Sequence, residues 1–264
     1  MNKAINQEEY VLRGENLGIN FGGLKAVEDF NITIKKGELV GLIGPNGAGK
    51  TTAFNLLTGV YKPTFGDIYL NGEKVTKMSP HLRVTKGIAR TFQNIRLFKK
   101  LSVLDNVKVA FNNSMKYSPL TATLRLPKFW QEEQEIDQKA KDILKVFNLN
   151  DVEEEYACNL PYGKQRKLEI ARAIATNPQI ILLDEPAAGM NPTETEELMS
   201  TIKLIKEKYQ VTILLIEHDM KLVMGICERI VVLNYGRIIA FGNPQEIQSN
   251  KDVITAYLGE EAEC

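Results

Sequence analysis

The sequence predicts an α/β fold in which a parallel sheet is preceded by a strand-rich region and interrupted by a helical insertion. Three observations predict it. Short apolar runs at 39–43, 180–183 and 211–216 have the length of buried parallel strands. From about residue 103 to 174 the pattern turns helical, with Ile136, Ala140, Ile143, Leu144 and Phe147 marking one face at 3–4 spacing among Glu, Lys and Gln. After residue 180, strand-like and helix-compatible stretches alternate, which implies βαβ units.

In chain order, β-like segments fall at 15–21, 30–34, 39–43 and 67–70, with turn signals at Gly22-Gly23, Lys36-Gly37 and Asn71-Gly72. A helix-compatible stretch, 51–57, follows the third. Residues 112–127, with Ser, Thr and two prolines, read as the least structured part of the helical insertion. Strand-like runs resume at 180–183, 211–216, 230–233 and 238–241, with helix-compatible 192–209 between the first two. Residues 244–264 look helical and carry no identifiable chemistry.

Composition bounds the function. The 264 residues carry 33 Lys+Arg against 33 Asp+Glu, so neither a nucleic-acid footprint nor a polybasic membrane patch is expected. No apolar stretch approaches the roughly 20 residues that span a bilayer, and the polar start, residues 1–9, lacks the core of a secretory signal. Membrane association is therefore expected only through a partner. Cys158, Cys227 and Cys264 are odd in number and scattered, fitting neither a disulfide framework nor a metal site, and a reducing cytoplasm is the simplest home.

Two segments carry chemistry. Gly44-Pro45-Asn46-Gly47-Ala48-Gly49-Lys50-Thr51 has P-loop spacing between an apolar strand and a helix, the context the motif requires. Glycines there let successive N–H groups turn inward on β- and γ-phosphates, and the following helix adds its positive end. Lys50 supplies a point charge and Thr51 a hydroxyl for Mg²⁺. The second segment delivers Asp184-Glu185 at the carboxyl end of an apolar strand, where open α/β sheets place ligands. Asp184 is read as holding the metal and Glu185 the attacking water, so the residues describe binding and hydrolysis of a nucleoside triphosphate.

The order of P-loop, Gln93, Leu160-Pro161-Tyr162-Gly163-Lys164-Gln165, Asp184-Glu185 and His218 resembles the nucleotide-binding subunit of an ABC transporter across essentially the whole chain. Phe21-Gly22-Gly23-Leu24-Lys25-Ala26-Val27, Ala89-Arg90-Thr91-Phe92-Gln93 and Leu168-Glu169-Ile170-Ala171-Arg172 resemble, more narrowly, the ATP-binding subunits of branched-chain amino-acid importers. The resemblance implies a P-loop NTPase (RecA-like) core, residues 1–94 and 167–264, with an N-terminal antiparallel β region and an α-helical subdomain at 95–166, all in one nucleotide-binding domain. It implies ATP and Mg²⁺ as ligands, transmembrane permeases and a second, identical or homologous, ATP-binding subunit as partners, and indirectly a substrate-binding protein. No nucleic-acid partner is implied. The expected place is the inner face of the cell membrane, held through the permeases.

The resemblance also implies roles residue by residue. Phe21 matches the aromatic that stacks on adenine, the alternative being a strand-end aromatic packed in the core. Pro45, Asn46 and Ala48 complete the phosphate loop, Thr52 meets the α-phosphate, Gln93 touches Mg²⁺ and the water, and His218 contacts the γ-phosphate. Tyr162 and Gly163 stand in the signature that closes over ATP held by the opposite subunit. Pro161 replaces the usual serine there, removing a hydroxyl and a backbone donor, while Lys164 replaces a glutamine and adds charge if it faces the nucleotide. Asn191 stands where the family has an aspartate, a position expected to couple polar groups across the interface. ATP is expected to close the dimer and hydrolysis to reopen it. Arg96, Leu97, Phe98 and Leu101 suit a docking helix of the membrane partner, or Phe98 and Leu101 are simply core. Alternatives are a related importer for amides, urea or other polar solutes, and a soluble ABC ATPase without a permease. His81, outside any motif, reads as surface.

Overall fold

Residues 10–114 and 127–261 are described by the computed structural model, in which two sheets share one core. The first is antiparallel and built from β1 (Tyr10–Phe21), β2 (Leu24–Lys35), β4 (Phe65–Leu70) and β5 (Glu73–Lys74) in the order β2-β1-β4-β5. Its turns lie where the sequence predicts them. Gly22-Gly23 joins the paired Phe21 and Leu24, and Asn71-Gly72 joins Leu70 and Glu73, with φ of 49° and 78° as such a tight hairpin turn requires. Strands β1 and β2 run longer than expected because register shifts let them continue past polar residues.

The second sheet runs β10-β9-β3-β8-β7-β6, formed by β10 (Arg237–Gly242), β9 (Arg229–Asn234), β3 (Leu39–Ile43), β8 (Thr212–Ile216), β7 (Ile180–Asp184) and β6 (Ile88–Arg90). All neighbours are parallel except β10 on β9. Every residue of β3, β7 and β8 is buried, as strands covered on both faces must be. Alternate residues divide between the two faces. Val40, Leu42, Ile180, Leu182, Leu214 and Ile216 pack toward the antiparallel sheet and α1 (Lys50–Leu57), while Leu39, Ile43, Ile181, Leu183, Ile213 and Leu215 pack toward the helices. Burying each such side chain contributes about 1.5–3 kcal/mol.

The stretch predicted as helical is broken into α3 (Val103–Lys108), a 3₁₀ segment Val109–Ser114, α4 (Pro127–Val146) and α5 (Tyr162–Ala175), with two further 3₁₀ turns before α5. Its apolar stripe, Ile136, Ala140, Ile143, Leu144 and Phe147, is buried against α3 and α5 as the spacing predicts. Most of the predicted loop at 112–127 lies outside the described residues, as do residues 1–9 and Cys264. Helix α2 (Pro80–Thr85) and strand β6 are additions to the sequence reading. The chain continues through α6 (Pro192–Tyr209) and α7 (Met220–Ile226) to α8 (Pro244–Gln248) and α9 (Lys251–Glu261), so the C-terminal segment is helical as expected. No helix among the described residues is long and apolar enough to cross a membrane.

Candidate functional site

The site lies where β3, β6, β7 and β8 end, because parallel strands deliver their carboxyl termini to one edge of a sheet. From β3 the chain enters residues 44–49. Gly44 has φ 151°, and a Cβ there would sit 2.0 Å from the Leu233 carbonyl oxygen of the adjacent β9. Gly49, with φ 98°, is the N-cap of α1, and its Cβ would lie 2.8 Å from the Ala26 oxygen. A side chain is therefore excluded at both. The loop folds over itself: Ala48 N–H donates to the Pro45 oxygen at 3.2 Å, and Gly236 N–H donates to the Ala48 oxygen at 2.9 Å.

Lys50 is buried, and its ammonium donates to the carbonyls of Gly44 at 2.6 Å and Pro45 at 2.8 Å, so its charge spans the loop. Thr51 and Thr52 follow on the first turn of α1, which carries no acidic residue. The positive helix end thus stays uncompensated by its own sequence.

Asp184 ends β7 and is 5% exposed. Burial pushes its carboxyl above the usual carboxylate range, while the Arg90 guanidinium, 3.3 Å away, pulls it back down. Arg90 also donates to Asn55 Oδ1 at 3.0 Å and Thr58 Oγ1 at 3.1 Å, which sets Asp184 beside the P-loop helix. Glu185 leaves the strand at φ 45°, and its N–H donates to the Ile216 oxygen of β8 at 2.9 Å. Its Oε2 accepts from Gln93 Nε2 at 2.9 Å, and His218 Nδ1 stands 4.0 Å off. Glu185, Gln93 and His218, distant in sequence, are therefore brought together.

Several residues of this arrangement were not singled out from the sequence. Glu217, 1% exposed, accepts the N–H groups of Ala187 at 2.8 Å, His218 at 3.1 Å and Asp219 at 3.5 Å. It ties the turn after β7 to the turn after β8; burial raises its pKa, and these three N–H groups oppose the rise. Its only sequence signal is a lone charge between an apolar strand and His218. Tyr61 packs edge-on against Phe21, with ring centroids 5.4 Å apart. Phe21 is 45% exposed at the β1–β2 hairpin, so it is not a core residue, and the same hairpin touches the P-loop through Ala26. His81 is exposed and bonded to Ser79, as a surface residue would be.

The signature segment forms the start of α5, with Pro161 as N-cap. Tyr162 is exposed and its hydroxyl accepts from Arg166 at 3.2 Å, while a Cβ on Gly163 would meet Glu194 at 2.9 Å. Lys164 is engaged with Asp151 at 3.2 Å. Asn191 caps α6 in a reciprocal capping box with Glu194, each bond 3.0 Å. Of the four residues considered for docking, Phe98 is 48% exposed and lines an apolar cleft of about 420 Å³ with Val60, Val84, Phe92 and Arg172. Leu97 packs on the core instead, and Leu101 is half-buried.

The residues fit a magnesium-bound triphosphate. A hydroxyl, an amide oxygen and a carboxylate (Thr51, Gln93, Asp184) are hard oxygen donors of the kind Mg²⁺ takes alongside phosphates.

Comparison with known proteins agrees with this geometry. The ABC transporter family profile matches residues 27–188, and that of the branched-chain amino acid ATP-binding cassette transporter matches residues 237–263. The chain is 46% identical over 250 residues to the high-affinity branched-chain amino acid transport ATP-binding proteins BraF of Pseudomonas aeruginosa and LivG of Escherichia coli K12, covering 95% of this chain and 98% of each relative. Among solved structures, the ADP conformation of MJ1267, an ATP-binding cassette of an ABC transporter, matches with TM-score 0.82 and 32% identity, covering 95% of this chain and 99% of that one. A dimeric post-hydrolysis state of the ATP-binding cassette MJ0796, bound to ADP and Pi, matches with TM-score 0.73 and 27% identity over 88% of this chain and 98% of that one.

Proposed function

The chain belongs to the ABC transporter family as an ATP-binding, ATP-hydrolysing subunit, and from that premise we propose that it powers uptake of branched-chain amino acids through membrane permeases. The observation that carries the substrate class is the likeness to BraF and LivG over nearly the whole chain, joined by the C-terminal match at 237–263. Its place is the cytoplasmic face of the membrane, where permeases would hold a chain that has no spanning helix among its described residues.

Lys50 and the N–H groups of residues 46–51 bind the β- and γ-phosphates, the Phe21 face receives the base, and Thr52 meets the α-phosphate. Thr51, Asp184 and Gln93 would hold Mg²⁺, which when bound neutralises charge between the phosphates. Glu185 accepts a proton from the attacking water, with Gln93 and His218 orienting that water; the 2.9 Å Gln93–Glu185 bond supports this pairing. Tyr162 and Gly163 serve the site of a second ATP-binding subunit, as the dimeric form of MJ0796 supports. The core is 1–94 with 167–264, the helical subdomain 95–166, and the cleft beside Phe98 receives the permease.

The test is uptake of labelled leucine by cells lacking the chain, complemented with wild type or Lys50→Ala. Wild type should restore uptake and Lys50→Ala should not. Leucine uptake indifferent to the chain, with uptake of urea or an amide following it instead, would overturn the substrate assignment.

A further inference from the structure

Between Thr91 and Ser102 the chain leaves the edge of the parallel sheet and crosses to the helices, and a buried guanidinium fastens it there. Arg166 of α5 is fully buried. One terminal nitrogen donates to the Phe92 oxygen at 2.6 Å and to Glu169 Oε2 at 2.9 Å; the other donates to the Gln93 oxygen at 2.7 Å. Glu169, also buried, accepts the Arg96 N–H at 3.1 Å. Arg172, one turn further, donates to the Arg96 oxygen and lies 5.4 Å from the Phe98 ring. Among the described residues, Arg166 Nε is the buried side-chain polar atom left without a partner. The side chain thus forgoes a bond at Nε while both terminal nitrogens reach consecutive carbonyls.

On the sheet side, the Gln93 amide meets Glu185. The backbone of Gln93 is therefore pinned to α5 while its side chain reaches the strand end. We infer that Arg166 is a positioning residue for hydrolysis: by clamping the Phe92 and Gln93 carbonyls to α5, it makes Gln93 travel with the helix that begins at Tyr162-Gly163. Movement of α5 then makes or breaks the Gln93–Glu185 contact directly. A lysine would replace the planar fork, whose two terminal nitrogens reach the Phe92 and Gln93 carbonyls together with Glu169, by a single point charge on a flexible stem. The inference rests on the reading that Gln93 takes part in hydrolysis.

Two measurements on the full chain test it. Arg166→Lys keeps a positive charge beside Glu169. Amide hydrogen exchange should become about tenfold or more faster at Arg96, whose N–H bond to Glu169 depends on the clamp, with exchange in β7 unchanged. Unchanged exchange at Arg96 would overturn the clamp, whatever Gln93 does. For turnover, Arg166→Lys should lower kcat roughly 3- to 30-fold with KM for ATP nearly constant. Combined with Gln93→Ala it should add no more than about twofold to the loss from Gln93→Ala alone. A full multiplicative loss in the double variant would show that Arg166 acts elsewhere and sink the proposal. Wild-type turnover in Gln93→Ala would overturn the reading of Gln93 and the proposal with it. If Arg166→Lys folds poorly, Glu169→Gln, which loosens the guanidinium but leaves an acceptor for Arg96, should give the same exchange signature more weakly.

Discussion

Glu185 occupies a left-handed backbone position, φ 45°, held by its N–H bond to the Ile216 oxygen. For a side chain other than glycine this is a strained place, of the kind that clusters at functional sites. The turn aims the carboxylate at Gln93 and His218 rather than along the strand. Phe21 offers a second test at this scale. Losing a ring that stacks on the base costs about 1–3 kcal/mol, so Phe21→Ala should weaken ATP binding roughly 5- to 150-fold by titration, with Phe21→Tyr close to wild type. Equal affinity in Phe21→Ala would remove Phe21 from the site. Cys227, buried, has its thiol pushed up to about 12. It should resist alkylation at pH 8 in the folded chain and react once denatured, read by mass spectrometry of the Cys227 peptide. The P-loop and Asp184-Glu185 were legible in the sequence because each is a local run whose geometry follows from its own residues. Arg90 and Tyr61 were not, since their meaning lies in partners far along the chain: Arg90 is 94 positions from Asp184.

At the scale of elements, the anchor of the P-loop helix is its far end. Arg83 of α2, 1% exposed, donates to the carbonyls of Leu56 at 3.0 Å and Leu57 at 2.7 Å, the last turn of α1, and to Thr76 at 3.1 Å. Removing it strands several buried acceptors, each worth about 1–3 kcal/mol. Arg83→Met should therefore lower stability by about 3 kcal/mol or more in urea unfolding, and a loss under about 1 kcal/mol would contradict that role. Asn191→Ala removes the cap of α6 and should cost about 1 kcal/mol in the same assay. Here the structure gives Asn191 a task within the chain, where the sequence marked only a missing aspartate. Asn71-Gly72 and Gly22-Gly23 were legible as turns because few residues tolerate that backbone. Strand β6 was not, being three residues long with an arginine in it, and the helical insertion read as one stretch because periodicity does not mark the 3₁₀ breaks.

For the whole molecule, the sheet order places β8 between β3 and β7, so the P-loop, Asp184-Glu185 and Glu217-His218 leave three adjacent strands at one edge. A parallel sheet was implied by the alternation of strands and helices, but strand order depends on tertiary packing that no local run encodes. The signature helix start meets Glu194, Arg166 and Asp151 of its own chain. Hydrolysis at this site turns on Glu185, and the direct measurement is ATP binding and turnover of purified wild type and Glu185→Gln. Glu185→Gln should bind Mg-ATP as wild type does and turn it over about 10²- to 10⁴-fold more slowly. Turnover retained within a few-fold of wild type would contradict that role of Glu185.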